Sequence, residues 1–439
     1  MKETDKWHRS LWTETTDTPR FETQKDDFKT DVLIVGGGLA GVLCAHTLEK
    51  AGVDYALVEA ETIGDGITKN TTAKITSQHG LIYHQLLRKF GFEKTQAYLK
   101  ANQAALKKYR TLCKNIDCDF EEKDSFVYSV DKPRMLEKEL FALEKIGFSA
   151  KLVKDLPLPF FTSGAIRFPN QAQFHPLKFL YAIAQNLHIF EHTKVLEFLP
   201  DGVRTDKGKI FAEKIIVATH FPILNKHGSY FLKMFQHRSY VLALENAPNL
   251  QGMYVDENEK GLSFRNHGEF LFLGGGSHRT GEKGGNWQEL EMFCEKYYPN
   301  AQKAYRWATQ DCMTLDGAPY IGQYSKRTQN LYVATGFNKW GMTSSMVAAE
   351  ILSDMVLGKK SPYAEVFSPS RTILRKQLFI NAAKAAINLI TPTVPRCPHL
   401  GCALKYNHDE RSWDCPCHGS RFTEDKKLID NPAMGDMKK

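Results

Sequence analysis

The feature that most constrains the fold is a short apolar strand that runs directly into a glycine-rich turn. Residues 31–35 (DVLIV) predict the strand, a helix is expected from about Leu39, and residues 55–59 (YALVE) predict a second strand. The turn between the first strand and the helix has the spacing GxGxxG, formed by Gly36, Gly38 and Gly41. This order is a βαβ unit, so the sequence predicts an α/β domain at the start of the chain.

The same unit has the features of a dinucleotide site. Its glycines allow the backbone to approach a pyrophosphate closely, and the positive end of the helix stabilises the phosphate charge. Glu59 ends the second strand, where a carboxylate can accept hydrogen bonds from a ribose. The alternative is a glycine-rich turn followed by a surface glutamate. Three more candidates for contacts with the pyrophosphate or flavin lie in the polar segment 64–80, at Thr71, Thr72 and Lys74.

The absence of a second nucleotide-binding motif in the sequence indicates which dinucleotide is bound. A flavin enzyme reduced by NAD(P)H normally has two nucleotide folds, and the other glycine-rich stretch, residues 274–279, lacks the final glycine of the motif. The sequence therefore favours FAD, reduced directly by a small substrate.

Composition excludes several other classes. The 439 residues exceed one ordinary core, and the net charge of +8 is scattered without a nucleic-acid motif, so nucleic acid is not an expected partner. The N-terminus lacks the apolar centre of a secretory signal, and no apolar run approaches the ~20 residues of a membrane span. We therefore expect a cytoplasmic protein without a transmembrane segment.

Residues 30–365 resemble the D-amino-acid oxidase/glycine oxidase superfamily of FAD-dependent oxidoreductases. The resemblance rests on Glu59 and on three motifs, DVLIVGGGLAGVLCA, KIIVATHFPI at 214–223 and the segment from LDGAPYIGQY to AAEIL at 315–352. It implies that the backbone of Val195 holds the adenine. It also implies that four residues lie along the flavin, Gly336, Gly341, Met342 and Thr343. Polar candidates for catalysis are His79, Arg265, Arg279 and Lys339, although a solvated or structural role competes with catalysis at each. An arginine could bind a substrate carboxylate with two hydrogen bonds.

Two cysteine- and histidine-containing boxes close the chain, CPHLGC at 397–402 and CPCHGS at 415–420. They resemble the paired loops of a Rieske protein. That resemblance implies a [2Fe–2S] cluster with four ligands, Cys397, His399, Cys415 and His418. It also implies a disulfide between Cys402 and Cys417. The rival interpretation is zinc, because two cysteines and two histidines also form a tetrahedral site.

The predicted fold is an α/β, Rossmann-like FAD domain of the glutathione-reductase type, an α+β substrate domain and a small, trimmed Rieske-type β domain. The first two share residues 28–370, with FAD parts at about 28–94, 180–225 and 316–370 and substrate parts at about 95–179 and 226–315. Residues 371–395 are expected to form a linker helix, for which a membrane-surface helix is the alternative because it is basic as well as apolar. Residues 396–439 are expected to form the Rieske domain. Its loops are expected to lean on the rest of the protein, because only a helix and a proline-rich turn precede Cys397, where Rieske domains usually have several strands.

The expected function is that of a dehydrogenase. A small amine, amino acid or related donor would reduce FAD by hydride transfer, and the cluster would pass electrons singly to a protein or quinone acceptor, with peripheral membrane contact still open. One alternative is a flavin oxidase that uses oxygen and has a structural or vestigial Rieske region. Another is a redox sensor or electron carrier without turnover.

Overall fold

The computed structural model of the protein describes residues 9–225, 227–392 and 395–438. The helices in chain order are α1 Leu11–Glu14, α2 Leu39–Lys50, α3 Tyr83–Cys113, α4 Pro133–Lys145, α5 Pro176–Ala184, α6 Tyr230–Lys233, α7 Asn286–Tyr297, α8 Gly341–Val356, α9 Ala364–Phe367 and α10 Lys376–Ile390, with a 3₁₀ turn at Ile67–Asn70.

The strands in chain order are β1 Phe28–Val35, β2 Tyr55–Val58, β3 Lys74–Ile75, β4 Glu121–Ser129, β5 Lys151–Val153, β6 Gly164–Gln173, β7 Ile189–Phe190, β8 Val195–Leu199, β9 Gly202–Thr205, β10 Lys209–Val217, β11 Met234–Glu245, β12 Met253–Asp256, β13 Ser263–His267, β14 Phe270–Arg279, β15 Gln302–Thr314, β16 Tyr320–Gln323, β17 Leu331–Thr335, β18 Lys405–Asn407, β19 Ser412–Asp414, β20 Arg421–Thr423 and β21 Leu428–Asp430.

The first sheet has eight strands, and its main path runs in the order β16-β17-β10-β1-β2-β7. β1 pairs in parallel with both β10 and β2, so its side chains from Val32 to Val35 are buried. A strand covered on both faces needs a continuous apolar run rather than an alternating one, which explains the sequence DVLIV. The predicted βαβ unit is therefore confirmed, with Glu59 directly after β2.

The second sheet has nine strands, and its main path runs in the order β15-β11-β14-β13-β12-β4-β6-β3. Most of its pairs are antiparallel, and β12 pairs with β4 in parallel. Its strands come from residues 74–314, which the chain reaches by leaving the first sheet and returning to it. The first sheet is consequently assembled from segments far apart in the sequence.

The third sheet is small and lies at the C-terminal end, with the order β18-β19-β20-β21. All its pairs are antiparallel, and the two cysteine-containing boxes flank its first strands. The α/β fold with a trimmed C-terminal β domain is thus confirmed. No helix in the described part of the chain is both long and apolar enough to cross a bilayer.

Candidate functional site

The glycine turn after β1 is held by close contacts with its neighbours. Gly36 has φ +112°, and a Cβ there would lie 2.6 Å from the carbonyl oxygen of Ala218. A Cβ on Gly41 would lie 1.9 Å from the carbonyl oxygen of Gly36. Larger residues at either position would push the turn away from the sheet and α2. The backbone can therefore approach a ligand only because these positions are glycine.

Glu59 and Thr68 complete this turn. The Glu59 carboxylate accepts hydrogen bonds from the backbone N–H groups of Gly37 at 2.6 Å and Glu61 at 3.0 Å. Burial raises the pKa of Glu59. The Thr68 hydroxyl accepts a hydrogen bond from the N–H of Leu39 at 3.1 Å, at the start of α2. Sequence reasoning missed Thr68, because it lies far from the glycine motif and belongs to no spacing pattern.

A cavity of about 900 Å³ opens above this turn and extends to the second sheet. It is lined by twelve of the sixteen residues predicted for the cofactor and for catalysis, Gly36, Gly38, Glu59, Thr71, Thr72, Lys74, His79, Val195, Gly336, Lys339, Gly341 and Met342. The other four are not among its lining residues, namely Gly41, Thr343, Arg265 and Arg279. Segments that are distant in the sequence thus meet around a single cavity.

Lys74 presents a buried amine to this cavity. Its Nζ donates a hydrogen bond of 3.0 Å to the Thr72 hydroxyl, while the Thr71 hydroxyl accepts from the N–H of Ala73 at 3.0 Å. Burial, helped by the nearby Arg265 cation, lowers the pKa of Lys74 to about 7. The amine can therefore lose its proton near neutral pH.

His79 also lines the cavity, but both of its ring nitrogens are occupied. Nε2 lies 2.9 Å from the carbonyl oxygen of Thr76, which can only accept, so Nε2 carries the proton. Nδ1 then accepts from the Tyr98 hydroxyl at 2.6 Å. Thr343 joins this group, with its hydroxyl 3.0 Å from Nε2, and the His79 ring stacks on Trp340. Burial lowers the pKa of His79 to about 3, so the ring is neutral and ties the start of α8 to the segment before α3.

Arg265 lies behind the cavity wall. Its guanidinium donates hydrogen bonds to the carbonyl oxygens of Thr72 at 2.6 Å and Ala73 at 3.0 Å. It also packs against the rings of Trp12 and Phe272. Burial lowers its pKa to about 9. The structure therefore places Arg265 where it positions the segment that carries Thr72 and Lys74.

Arg279 lies between the second sheet and the C-terminal domain. Its Nε donates to the carbonyl oxygen of Pro416 at 3.1 Å, and its Nη2 donates to that of Cys417 at 3.3 Å. Its Nη1 donates to the Asn381 side chain of α10 at 2.9 Å. All these partners belong to α10 or to the second cysteine-containing box, so this arginine holds that box in place.

Lys339 and Asp311 lie near each other in the part of the cavity formed by the second sheet. Lys339 has φ +72°, and its Nζ lies 3.4 Å from the carbonyl oxygen of Glu259. Burial lowers the pKa of Lys339 and raises that of Asp311 to about 6, and the Lys339 and Arg238 cations limit the rise at Asp311. Asp311 was not anticipated from the sequence, because it lies in an ordinary strand.

The two cysteine-containing boxes fold into loops with the same backbone hydrogen bonds. The N–H of Gly401 donates to the carbonyl oxygen of Cys397, and the N–H of Gly419 donates to that of Cys415, both at 2.9 Å. A second backbone hydrogen bond of 2.9 Å closes each loop. The N–H of Cys397 donates to the carbonyl oxygen of Cys402, and the N–H of Cys415 donates to that of Ser420. The paired loops expected from the sequence are therefore matched in backbone structure as well as in composition.

The predicted ligands converge between these loops. The Nδ1 atoms of His399 and His418 face each other 3.3 Å apart. Cys402 and Cys417 form a disulfide, which leaves Cys397 and Cys415 as the free thiols of the two boxes. The Sγ atoms of Cys402, Cys415 and Cys417 all lie within 4.8 Å of one another, so the disulfide lies beside a free thiol.

The protonation states of these side chains suit metal binding. Burial lowers the pKa of His399 to about 4 and that of His418 to about 3, so both rings are neutral at neutral pH. A hydrogen bond with Cys415 lowers the pKa of Cys397 to about 7. The same hydrogen bond, together with burial, raises the pKa of Cys415 well above its ordinary value. Metal ligation requires neutral imidazoles and thiolates, so the two rings and Cys397 already suit it, whereas Cys415 must lose its proton as a metal binds.

A buried network joins the C-terminal domain to the second sheet. Arg238 of β11 donates two hydrogen bonds to the Glu410 carboxylate, one of them 2.9 Å long, and the Tyr240 hydroxyl donates a third at 2.9 Å. Arg421 donates to the same carboxylate at 2.8 Å. Burial alone would raise the pKa of Glu410, but the Arg238 and Arg421 cations outweigh that effect, so its pKa lies well below the ordinary value and the carboxylate stays ionised. The contacts of Arg279 with Pro416 and Cys417 bear out the expectation that the cluster loops lean on the rest of the protein.

Comparison with known proteins agrees with this geometry. Residues 31–355 match the family described as FAD dependent oxidoreductase. The chain belongs to that family. Residues 370–439 match the Rieske [2Fe-2S] domain, which decides between an iron–sulfur cluster and zinc in favour of the cluster.

Relatives of this FAD-dependent oxidoreductase share either its whole length or its main body. The chain is 33% identical to the putative Rieske 2Fe-2S iron-sulfur protein YhfW of Bacillus subtilis, over 98% of this chain and 97% of the relative. It is 22% identical to gamma-glutamylputrescine oxidoreductase of Escherichia coli, over 77% of this chain and 86% of the relative. Glycine oxidase from Geobacillus kaustophilus has the same fold, with a TM-score of 0.66 and 20% identity over 79% of this chain and 99% of that chain.

As a member of this family, the chain is an enzyme with an FAD site and a [2Fe–2S] site. The cavity fits a dinucleotide, because its glycine turn leaves the backbone open and Glu59 lies beside it. The Nε2 of His220, another lining residue, is buried without a hydrogen-bond partner in the described protein, and a bound group can supply one. The facing ring nitrogens and free thiols of the two loops fit the cluster.

Proposed function

We propose that this chain is a dehydrogenase that oxidises a small amine, amino acid or related donor at its FAD site and passes the electrons singly through its [2Fe–2S] cluster. FAD supplies the acceptor for a hydride, and a [2Fe–2S] cluster supplies a one-electron carrier. The names of two similar proteins, a gamma-glutamylputrescine oxidoreductase and a glycine oxidase, support an amine or amino acid as the donor.

The observation that carries this proposal is the short connection between the cavity and the cluster loops. Thr219 and His220 line the cavity, and the next residue, Phe221, packs against the ring of the cluster ligand His418 at a centroid distance of 6.4 Å. The Asn431 side chain donates to the carbonyl oxygens of Thr219 at 2.6 Å and Phe221 at 3.0 Å. Three consecutive residues, 219–221, thus connect the cavity to the loop of His418.

The C-terminal domain also forms part of the cavity itself. The end of β21 and the loop after it contribute lining residues at Leu428, Ile429, Asp430, Asn431, Ala433, Met434 and Asp436. The Gln236 side chain donates to the carbonyl oxygens of His418 at 2.8 Å and Asn431 at 3.0 Å, which fixes this wall to the second cluster loop. Because the C-terminal domain forms part of the wall of the FAD cavity, this arrangement favours direct electron transfer from FAD to the cluster over a vestigial Rieske region.

The charges in the cavity favour an amine donor over a donor whose carboxylate is bound by an arginine. No arginine is found among the described residues that line it, and its acids in the second sheet include Asp256 and Asp311. The ionised carboxylate of Asp311 can hold a substrate ammonium or accept a proton from it, while Lys339 offers one point charge for a carboxylate. These side chains bind and orient the donor, and the surrounding walls exclude water.

The electron acceptor is proposed to be a one-electron protein or a quinone, and the working location is proposed to be the cytoplasm. An oxidase with a structural Rieske region would leave the connection at residues 219–221 without a role. A sensor without turnover would need space for FAD but not the part of the cavity at the second sheet, where Lys339 and Asp311 lie.

The test is an anaerobic titration of the purified protein with small amines and amino acids, including gamma-glutamylputrescine and glycine. Flavin absorbance reports the first site, and electron paramagnetic resonance of the reduced cluster reports the second. We expect a donor to reduce both sites in the native chain and only the flavin in a Cys397→Ser variant. Cys294→Ser, which changes a buried cysteine in α7, is the matched control and should behave as the native chain does.

Two results would contradict the proposal. A native cluster that stays oxidised while the flavin is fully reduced would favour the oxidase. A flavin that no donor reduces, although a protein reductant does, would favour the sensor.

A further inference from the structure

Helix α10, which precedes the cluster loops, is packed with its polar face inward. Two asparagines on this helix, Asn381 and Asn388, are buried. The Asn381 side chain accepts a hydrogen bond from Arg279 at 2.9 Å, and the backbone carbonyl of Asn388 accepts one from the N–H of Ala403 at 3.0 Å. The two buried residues of the helix are thus amides, and both bind the protein through hydrogen bonds.

The opposite face of α10 is apolar and exposed. Phe379, Ile387 and Ile390 are 66%, 60% and 80% exposed. Separations of eight and eleven residues place all three on one side of a helix that is about 22 Å long. Contiguous apolar rows of this kind mark a binding surface, since exposed apolar residues elsewhere are usually scattered.

The charged residues of the segment that carries this face have one sign. Residues 366–408 contain six lysines and arginines and no aspartate or glutamate. Two of these cations pair with acids of the main body, Arg371 with Asp316 and Lys384 with Glu282. The remaining four leave the segment basic, and Lys376 is exposed on the same side of α10 as Phe379.

We propose that the apolar face of α10 docks this protein on an anionic lipid surface. A helix with exposed apolar residues and neighbouring cations lies in the plane of a membrane interface, where lipid headgroups neutralise the cations and acyl chains cover the apolar side chains. A second copy of the chain would instead bring two basic faces together, so charge complementarity favours lipid over self-association.

The docked orientation places the first cluster loop at the membrane. Arg396 donates to the carbonyl oxygens of Leu389 at 3.0 Å and Gly401 at 3.1 Å, which ties the end of α10 to the loop of His399. Leu400, next to that ligand, is itself 41% exposed. The inference concerns where the protein works and does not depend on the proposed dehydrogenase function.

The test is flotation of the protein, loaded with both cofactors, on vesicles of phosphatidylglycerol and phosphatidylcholine or of phosphatidylcholine alone. We expect binding to the anionic vesicles that weakens as salt is raised. Replacement of the three exposed apolar residues, Phe379→Ser, Ile387→Ser and Ile390→Ser, should weaken binding at least about tenfold. Lys376→Gln should weaken it about fivefold.

Matched controls distinguish vesicle binding through this face from nonspecific hydrophobic adsorption and from misfolding. Phe141→Ser and Phe161→Ser remove side chains that are 57% and 80% exposed elsewhere on the protein, and they should leave vesicle binding unchanged. Each variant is also checked for native flavin and cluster absorbance, which the exposed substitutions should preserve.

Three outcomes would overturn the inference. The first is failure of the native protein to bind either vesicle. The second is equal binding by the native protein and the triple variant. The third is self-association that the triple variant abolishes in the absence of vesicle binding, which would assign the face to a second copy.

Discussion

Burial sets the chemistry of the charged side chains around the cavity. The amine of Lys74 titrates near neutral pH and the carboxyl of Asp311 near pH 6, because burial disfavours the charged form of each. His79, by contrast, is held neutral by burial, which lowers its pKa more than the hydrogen bond to the Thr76 carbonyl raises it. A residue type that suggests acid–base catalysis in a sequence can therefore be structural once its neighbours are known.

Asp311 should govern the acid limb of the pH profile for amine oxidation. With a pKa of about 6, it is mostly protonated at pH 5 and mostly ionised at pH 7, so kcat/KM should rise about tenfold over that interval. Asp311→Asn should lower kcat/KM at least about tenfold at pH 7 and flatten this limb.

The control for Asp311 is Asp65→Asn, which removes a carboxylate beside the glycine turn. This variant should leave the acid limb of the kcat/KM profile unchanged. A profile that remains unchanged in Asp311→Asn would exclude Asp311 as the group that titrates.

At the scale of elements, two buried arginines support different sites although both belong to strands of the second sheet. Arg265 lies on β13 and binds the backbone near β3, while Arg279 ends β14 and binds the second cluster loop. Their separation along the sheet determines which cofactor each one supports. This division is invisible in the sequence, where each is a single arginine in a short strand.

Replacing each arginine should affect one cofactor. Arg265→Gln should weaken FAD binding at least about tenfold, because two backbone carbonyls lose a charged donor, and should leave the iron content unchanged. Arg279→Gln should speed loss of iron to a chelator and leave FAD bound. Iron and flavin measured on the same samples check both, and each variant is the control for the other. Equal loss of both cofactors from both variants would contradict this division.

The whole molecule is held together by charges buried between its parts. Glu410 of the C-terminal domain binds Arg238 of the second sheet and Arg421 of its own domain, and all three side chains are nearly inaccessible to water. Removal of one member of such a group leaves buried charge without compensation. The domains should therefore unfold together while Glu410 is ionised.

Glu410→Gln should lower the free energy of unfolding by about 3–5 kcal/mol, since two buried arginines lose their shared carboxylate. Denaturant unfolding followed by flavin fluorescence and by cluster absorbance measures this loss and shows whether the two transitions separate. Asp425→Asn, an exposed change in the same domain, should alter stability by less than about 0.5 kcal/mol. An unchanged midpoint in Glu410→Gln would show that the network does not hold the domains together.

Local sequence was enough wherever the chemistry depends on fixed spacing along the chain. The glycine turn, Glu59 and the two cysteine-containing boxes are such features, because a tight turn or a metal loop is built from residues a few positions apart. The disulfide between Cys402 and Cys417 was implied by the resemblance to Rieske proteins, and the structure contains it.

Tertiary structure decided everything that depends on contacts between distant segments. Asp311 faces the cavity, Arg279 faces the cluster loop and α10 turns its apolar side outward because of how the sheets and domains pack against each other. Hydrophobic patterning alone would have turned the apolar side of α10 inward. The sequence by itself determined which cofactors the chain can hold, whereas packing determined which side chains meet them, because burial and partners arise only when remote segments come together.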